Sequence, residues 1–216
     1  MFTTAIFDLD GTLINSLTDL ANACNYALNK FNYPPHELNK YKYFVGNGIY
    51  KLVERSVPEG LKDKNNVLKV KAIFDEYYAQ HSMDNTRPYE GIIELIKTLK
   101  ANNINRAVLT NKADPYAKEI VKNFFGDLIP TVVGQKPENK TKPAPDGVYD
   151  IIKILGINKE ECIFIGDSNV DIQTANNAKI KSIGVLWGFR TKEELQAAGA
   201  TYIVETPKEI SNIILM

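Results

Sequence analysis

The sequence predicts an α/β protein: a doubly wound, Rossmann-like parallel sheet with helices on both faces, interrupted by an inserted all-helical domain. Three observations carry the prediction. An apolar run, Thr4-Ala5-Ile6-Phe7, stops at an acidic glycine turn, Asp8-Leu9-Asp10-Gly11-Thr12-Leu13. From Arg87 onward, short apolar runs alternate with amphipathic stretches, the pattern of repeated strand-helix units joined by right-handed crossovers. Between these regions, from about Asn15 to Asn85, helical periodicity persists without a convincing strand.

Taken in order, Thr4 to Phe7 is the first strand. Ser16 with Asp19 three residues on reads as a capping box, followed by a helical stripe of Leu17, Leu20, Ala21, Cys24, Ala27, Leu28 and Phe31. A second stripe comprises Val67, Val70, Phe74, Tyr77 and Tyr78. Ile92, Leu95, Ile96 and Leu99 stripe a helix, Ile104 to Leu109 is a strand, and Asp114-Pro115 starts a helix with an N-cap and an N1 proline. Strands are expected at Leu128 to Val133, Glu161 to Ile165 and Ser182 to Leu186. Helices are expected at Pro145 to Leu155, stopped by Gly156, and at Ser168 to Ala178. Two more begin at the capping boxes Thr191-x-x-Glu194 and Thr206-Pro207-x-Glu209.

The link from the first strand to the next is about 90 residues, where a crossover needs only a dozen or so. An inserted helical lobe accounts for the excess, giving a core of residues 1–14 and 86–216 and a lobe of 15–85. Leaving just after the Asp-x-Asp turn, the lobe is expected to lie over the carboxyl ends of the strands as a lid, where open α/β sheets bind ligands.

Composition narrows the partners. With 26 Lys plus Arg against 26 Asp plus Glu, no global field favours nucleic acid or an anionic membrane, and a small molecule is the expected partner. No apolar segment reaches the roughly 18 residues a membrane helix needs, and the start Met1-Phe2-Thr3-Thr4 lacks a signal-like pattern, so export is not expected. Cys24 and Cys162 sit in apolar runs and read as buried free thiols, consistent with a reducing cytoplasm. His36 and His81 stand alone in polar surroundings and read as solvated rather than metal-binding.

The first turn carries the chemistry. A carboxyl of ordinary pKa, about 3.9, is an anion at neutral pH, so Asp8 is a candidate nucleophile that needs no base to activate it. Strand alternation sends Asp10 to the same side, where a second carboxylate can bind a cation or move a proton. Three other strand ends supply partners. Ile104 to Leu109 runs into Thr110-Asn111, whose hydroxyl and amide can donate to phosphate oxygens. Glu161 to Ile165 runs into Gly166-Asp167, with Asp171 one turn on, as a support behind the metal ligands or as the capping partner of Ser168. Beyond Leu128 to Val133, Lys142-Pro143-Ala144-Pro145 brings a lysine held by proline. A carboxylate ending a strand as apolar as Ile163-Phe164-Ile165 needs a close partner, and a cation shared with Asp8 would serve.

The ordered set DLDGTL, TN, KPAP and GDSNVD resembles the four motifs of the haloacid dehalogenase superfamily, over nearly the whole chain, and the insertion resembles that superfamily's helical cap of the first type. Finer features are similar to the phosphoglycolate phosphatase group: Val45-Gly46-Asn47-Gly48, Arg87-Pro88-Tyr89-Glu90-Gly91, Thr110-Asn111-Lys112 and Gly184-Val185-Leu186-Trp187-Gly188. Asn15 departs from the group, which usually has aspartate there.

The resemblance implies a hydrolase that acts on a small phosphorylated metabolite through an aspartyl-phosphate intermediate. Asp8 would be the nucleophile and Asp10 the acid and base. Mg2+ would be held by Asp8, Asp167 and the backbone carbonyl of Asp10. Lys142, Thr110, Asn111 and the Gly11-Thr12 turn would hold the phosphate. Phe44, Asn47 and Arg55, with Tyr43, are the lobe residues considered for substrate choice, and a monomer or weak homodimer is expected. The rival activities are a β-phosphoglucomutase-like phosphotransferase, a nucleotide or sugar phosphatase and a pyrophosphatase. Such mutases often lack threonine at the position of Thr12, which tilts the expectation to hydrolysis. A non-catalytic binding protein on the same fold is the rival of a different class.

Overall fold

Thr4–Phe7 forms β1, and all four of its residues are buried. The computed structural model describes residues 2–137 and 140–216; Met1 of the expected signal-free start, and Glu138 and Asn139 of the loop before Lys142, lie outside them. The described residues divide into two compact units, one from 2–14, 88–137 and 140–216, the other from 15–87. The chain passes between them at β2 (Ile14–Asn15) and β3 (Arg87–Pro88), which form a two-stranded sheet.

The smaller unit is built from α1 (Leu17–Lys30), α2 (Leu38–Phe44), α3 (Ile49–Ser56) and α4 (Lys64–His81). Its apolar stripes bury Leu28, Tyr41, Val53, Val67, Val70 and Phe74 completely. Asp63 caps α4, accepting from the backbone of Asn65 and Asn66. At α1 the expected capping box does not form. Ser16 makes no side-chain cap bond, because Asp19 turns to the far end of the unit and accepts from Asn85 N, Asn85 Nδ2, Thr86 N and Thr86 Oγ1 at 2.7–3.0 Å. Burial opposes ionisation of Asp19, but these four donors outweigh it and hold the carboxyl below its ordinary pKa. His36 is also not simply solvated: it is half-buried, its Nε2 lies 2.7 Å from Ser56 O, and its ring meets Tyr41 and Phe44 edge-on. His81 pairs with Asp84 at 2.8 Å.

The larger unit continues through α5 (Ile92–Ala101), β4 (Asn105–Ala113), α6 (Asp114–Phe125), β5 (Thr131–Gln135), α7 (Asp146–Leu155), β6 (Cys162–Gly166), α8 (Asn169–Ala178), β7 (Lys181–Val185), α9 (Lys192–Ala197), β8 (Tyr202–Val204) and α10 (Pro207–Leu215). The strands form one parallel sheet in the order β5-β4-β1-β6-β7-β8. One face is set by residues of equal parity: Ile6, Ala107, Leu109, Cys162 and Phe164 pack with Val148 and Ile151 of α7 and Ala175 and Ala178 of α8. The alternate residues Ala5, Phe7, Val108, Ile163 and Ile165 are equally buried, as a sheet covered by helices on both faces requires. Cys24 and Cys162 are buried free thiols, each pushed up to about 11 by burial. Among the described residues no helix is long and apolar enough to cross a membrane.

Several expected elements move. The strand expected to end at Leu109 runs to Ala113, with a register irregularity after Leu109 and Ala113 paired to Gln135. Asp114 is consequently the first helical residue rather than the cap, and its carboxylate accepts from Gly134 N at 3.1 Å and pairs with Lys118 at 2.8 Å. A 3-10 turn at Gly126–Leu128 delays β5 to Thr131. The edge strand β8 was not expected at all: three residues carry too little alternation to register. The caps at Ser168 and Thr206 form reciprocally, and Thr191 accepts from Glu194 N.

Candidate active site

The sheet order places β1 in the middle, with β4 on one side and β6 on the other, at the point where the connections switch direction. Phe7 is level with Val108 and Ile165, so Asp8 and Asp167, which follow β1 and β6, and Thr110, within β4, lie toward the same end of three adjacent strands. Asp8 N donates to Ile165 O at 2.8 Å, which holds the turn against β6.

Asp8 Oδ1 lies 2.7 Å from Lys142 Nζ. The two form a buried ion pair, and no other donor among the described residues serves Asp8 Oδ1. Oxygens of Asp8, Asp167 and Asp171 come within 4.8 Å of one another, all three residues buried. Burial raises the Asp8 carboxyl to about 7 against the pull of Lys142, with Asp171 and Asp10 adding to the rise. Burial thus opposes the ionisation of Asp8, and the neighbouring Lys142 ammonium favours it. Asp167 is raised to about 8 by burial and by Asp171 and Asp8.

This donor set fits a divalent cation. Grouped hard carboxylate oxygens, three carboxylates gathered about Lys142 with Arg190 acting on Asp167, are the donor type a divalent ion such as Mg2+ takes. Asp167 accepts one bond on each oxygen, from Thr12 Oγ1 at 3.2 Å and Phe189 N at 2.8 Å, and retains lone pairs for a metal. Gly11 makes the approach possible. Its φ is +89°, and a Cβ there would stand 2.4 Å from Asp167 Oδ2.

Asp171 does two jobs. Its Oδ2 accepts from Ser168 N and Oγ, completing the cap of α8, and its Oδ1 accepts from Lys142 Nζ at 2.6 Å. It packs where Gly166 leaves room, since a Cβ on Gly166 would sit 2.2 Å from Asp171 Cβ. Burial would push the Lys142 ammonium down, but Asp171 and Asp8 outweigh it and hold its pKa above the ordinary lysine value. Asn111 brackets the same lysine through its main chain: Nδ2 donates to Lys142 O at 3.1 Å, and Oδ1 accepts from Lys142 N at 2.8 Å. The Asn111 amide, expected to donate to phosphate, is engaged here in placing the lysine. Thr110 Oγ1 accepts from Lys112 N at 3.2 Å.

The Asp10 carboxylate does not join the three-carboxylate cluster. It lies on Lys112, whose Nζ donates to its two oxygens at 3.1 and 3.2 Å. In the sequence Lys112 stands only as the third residue of Thr110-Asn111-Lys112, and spacing does not distinguish a buried lysine from a solvated one. Trp187, in the sequence only part of Gly184-Val185-Leu186-Trp187-Gly188, donates its indole N–H to Thr12 O at 3.0 Å, anchoring the first turn. Burial, with Asp167 and Asp10, raises the Tyr89 hydroxyl pKa.

In the smaller unit, the four residues considered for substrate choice form one local cluster. Arg55 donates to Phe44 O at 2.9 Å, to Tyr43 O at 3.4 Å and to Asn47 Oδ1 at 2.7 Å, fastening the link between α2 and α3.

The chain as a whole is similar to known proteins in sequence and in fold. The chain is 31% identical over 204 residues to the phosphoglycolate phosphatase of Psychrobacter arcticus, covering 91% of this chain and 88% of that one. A solved structure from Lactobacillus delbrueckii subsp. bulgaricus superposes with a TM-score of 0.94 at 33% identity, over 99% of this chain and 98% of that chain. The structure of a predicted phosphoglycolate phosphatase from Haemophilus somnus gives a TM-score of 0.91 at 30% identity, over 98% and 97%. The family model for haloacid dehalogenase-like hydrolases matches residues 5–185, a span that begins on β1 and takes in every strand-end residue of the site, so the chain belongs to that family.

Proposed function

We propose that this haloacid dehalogenase-like phosphatase hydrolyses a small phosphate monoester of the phosphoglycolate type, with Asp8 as nucleophile and Asp10 as acid and base. One observation carries the reading: the ends of three adjacent strands and the Lys142 loop bring a nucleophile-type carboxylate, a partnered buried lysine and two further carboxylates into one cluster. The relatives' names support phosphoglycolate as the substrate to test first.

An Asp8 oxygen attacks phosphorus in line, forming an acyl phosphate as the bond to the ester oxygen breaks, and Asp10 gives that oxygen its proton. Asp10 then takes a proton from water, whose oxygen attacks the same phosphorus, and inorganic phosphate leaves as Asp8 is regenerated. Asp8 and Asp167, with the Asp10 backbone carbonyl, would hold Mg2+. Bound there, the ion supplies charge that offsets repulsion between an anionic nucleophile and an anionic ester. Lys142, fixed by Asp171 and Asn111, is placed to balance the transferring oxygens, with the Thr110 hydroxyl and the Gly11-Thr12 amides as further donors.

Release of phosphate from phosphoglycolate and p-nitrophenyl phosphate, measured with Mg2+ and with chelator, tests the function. Metal-dependent turnover is expected, and Asp8→Asn should lower it by more than about a thousandfold while the protein stays folded. Turnover retained in Asp8→Asn removes the nucleophile assignment. Transfer to β-glucose 1-phosphate without phosphate release would favour the mutase.

A further inference from the structure

Lys112 stands two residues past Thr110 and is buried, its side chain 1% exposed. A lysine so placed needs a counter-charge, because burying an unpaired ammonium costs several kcal/mol. Its Nζ spans both oxygens of Asp10 at nearly equal distances, 3.1 and 3.2 Å. A two-point grip restrains rotation of the carboxylate about its last bond, which a single contact would leave free. The grip is itself fixed from behind, since the Lys112 backbone N–H donates to Thr110 Oγ1 where β4 departs from its regular register.

The two buried lysines therefore divide the two carboxylates of the first turn between them. Lys142 faces Asp8 and Asp171, while Lys112 faces Asp10. We propose that Lys112 is a positioning residue for proton transfer: it aims the Asp10 carboxyl at the departing oxygen, and does not itself hold the phosphate. The inference rests on the phosphatase reading, with Asp10 as the acid.

Leaving-group dependence separates this role from a structural one. An alkyl alkoxide is a poor leaving group and needs a proton as the P–O bond breaks, whereas p-nitrophenolate departs without one. The experiment compares kcat/KM, which reports the steps through leaving-group departure, for phosphoglycolate and p-nitrophenyl phosphate in the wild type and in Lys112→Met and Lys112→Gln. Both substitutions are expected to lower kcat/KM on the alkyl ester at least about tenfold more than on the aryl ester, in keeping with the size of acid catalysis. Added to Asp10→Asn, Lys112→Met should cost no more than about twofold further, because the group it aims is already gone. That double variant also removes both charges of the pair together, so it provides the comparison if Lys112→Met alone fails to fold. Equal losses on the two esters, or an undiminished loss in the Asp10→Asn background, overturns the role of Lys112 while leaving the phosphatase intact. A wild type without metal-dependent hydrolysis of either ester overturns the phosphatase reading itself.

Discussion

Lys142 is held on every side that geometry offers: Asp8 and Asp171 at its ammonium, the Phe164 ring 5.4 Å from Nζ, and both ends of the Asn111 amide on its main chain. Small displacements of such a charge are costly in catalysis, where about 1 Å of misplacement can remove a hundredfold in rate. Asn111→Ala is therefore expected to lower kcat by about ten- to a hundredfold and, by leaving the buried Lys142 N–H and C=O without these partners, to cost about 1–3 kcal/mol of stability, as steady-state kinetics and thermal unfolding would show. At Gly11 the expectation is structural as well as catalytic. Alanine there meets both a positive φ and the Asp167 carboxylate, so Gly11→Ala should cost about 1–3 kcal/mol of stability and weaken the response to Mg2+, measured by denaturation with and without the ion. Asp8, Asp167 and Lys142 were legible because charged residues ending apolar strands demand partners. Lys112 and the bracket by Asn111 were not, because which of several polar atoms a side chain selects depends on distances that spacing alone does not encode.

At the scale of elements, the period-2 and period-3.6 patterns located most of the strands and helices, and errors gathered at their ends. The Ser16-Asp19 pair shows why. The local pattern of a capping box was present, but Asp19 found four donors at Asn85 and Thr86, and this tertiary set outcompeted the cap. Asp19→Ala should destabilise the smaller unit by about 2–3 kcal/mol, leaving buried Thr86 donors unsatisfied, and hydrogen exchange at Thr86 would report it. The sign of the pH effect follows from the lowered pKa. Asp19 contributes fully above its unfolded value near about 3.9, and the contribution is lost as pH falls through its lower folded value. Acid unfolding of wild type and Asp19→Asn should therefore converge at low pH.

At the scale of the molecule, the balance of 26 basic and 26 acidic residues leaves no net field, and the charge that matters is concentrated in one buried cluster. Three carboxylates there share Lys142, with the Arg190 guanidinium acting on Asp167, so a divalent ion bound to them should raise stability by mass action. At a concentration of about a hundred times Kd the gain is about 2.7 kcal/mol, equivalent to roughly 5–10 °C in Tm for a chain of this size. Calorimetry with Mg2+ should show the rise in the wild type and its loss in Asp167→Asn; an equal rise in both would remove Asp167 from the metal site.

The bonds from Asp19 to Asn85 and Thr86 also bear on how the chain assembles. They tie the start of the smaller unit to its end, so once that unit has folded, the strands β1 and β4 see a short bridge rather than a long excursion. Loop-closure entropy rises with the length of free chain, and folding the insertion first removes most of that length from the pairing of β1 with β4. A protein wired this way can exchange the interior of the insertion for another sequence, provided the tie survives, without rewriting the sheet that carries its chemistry.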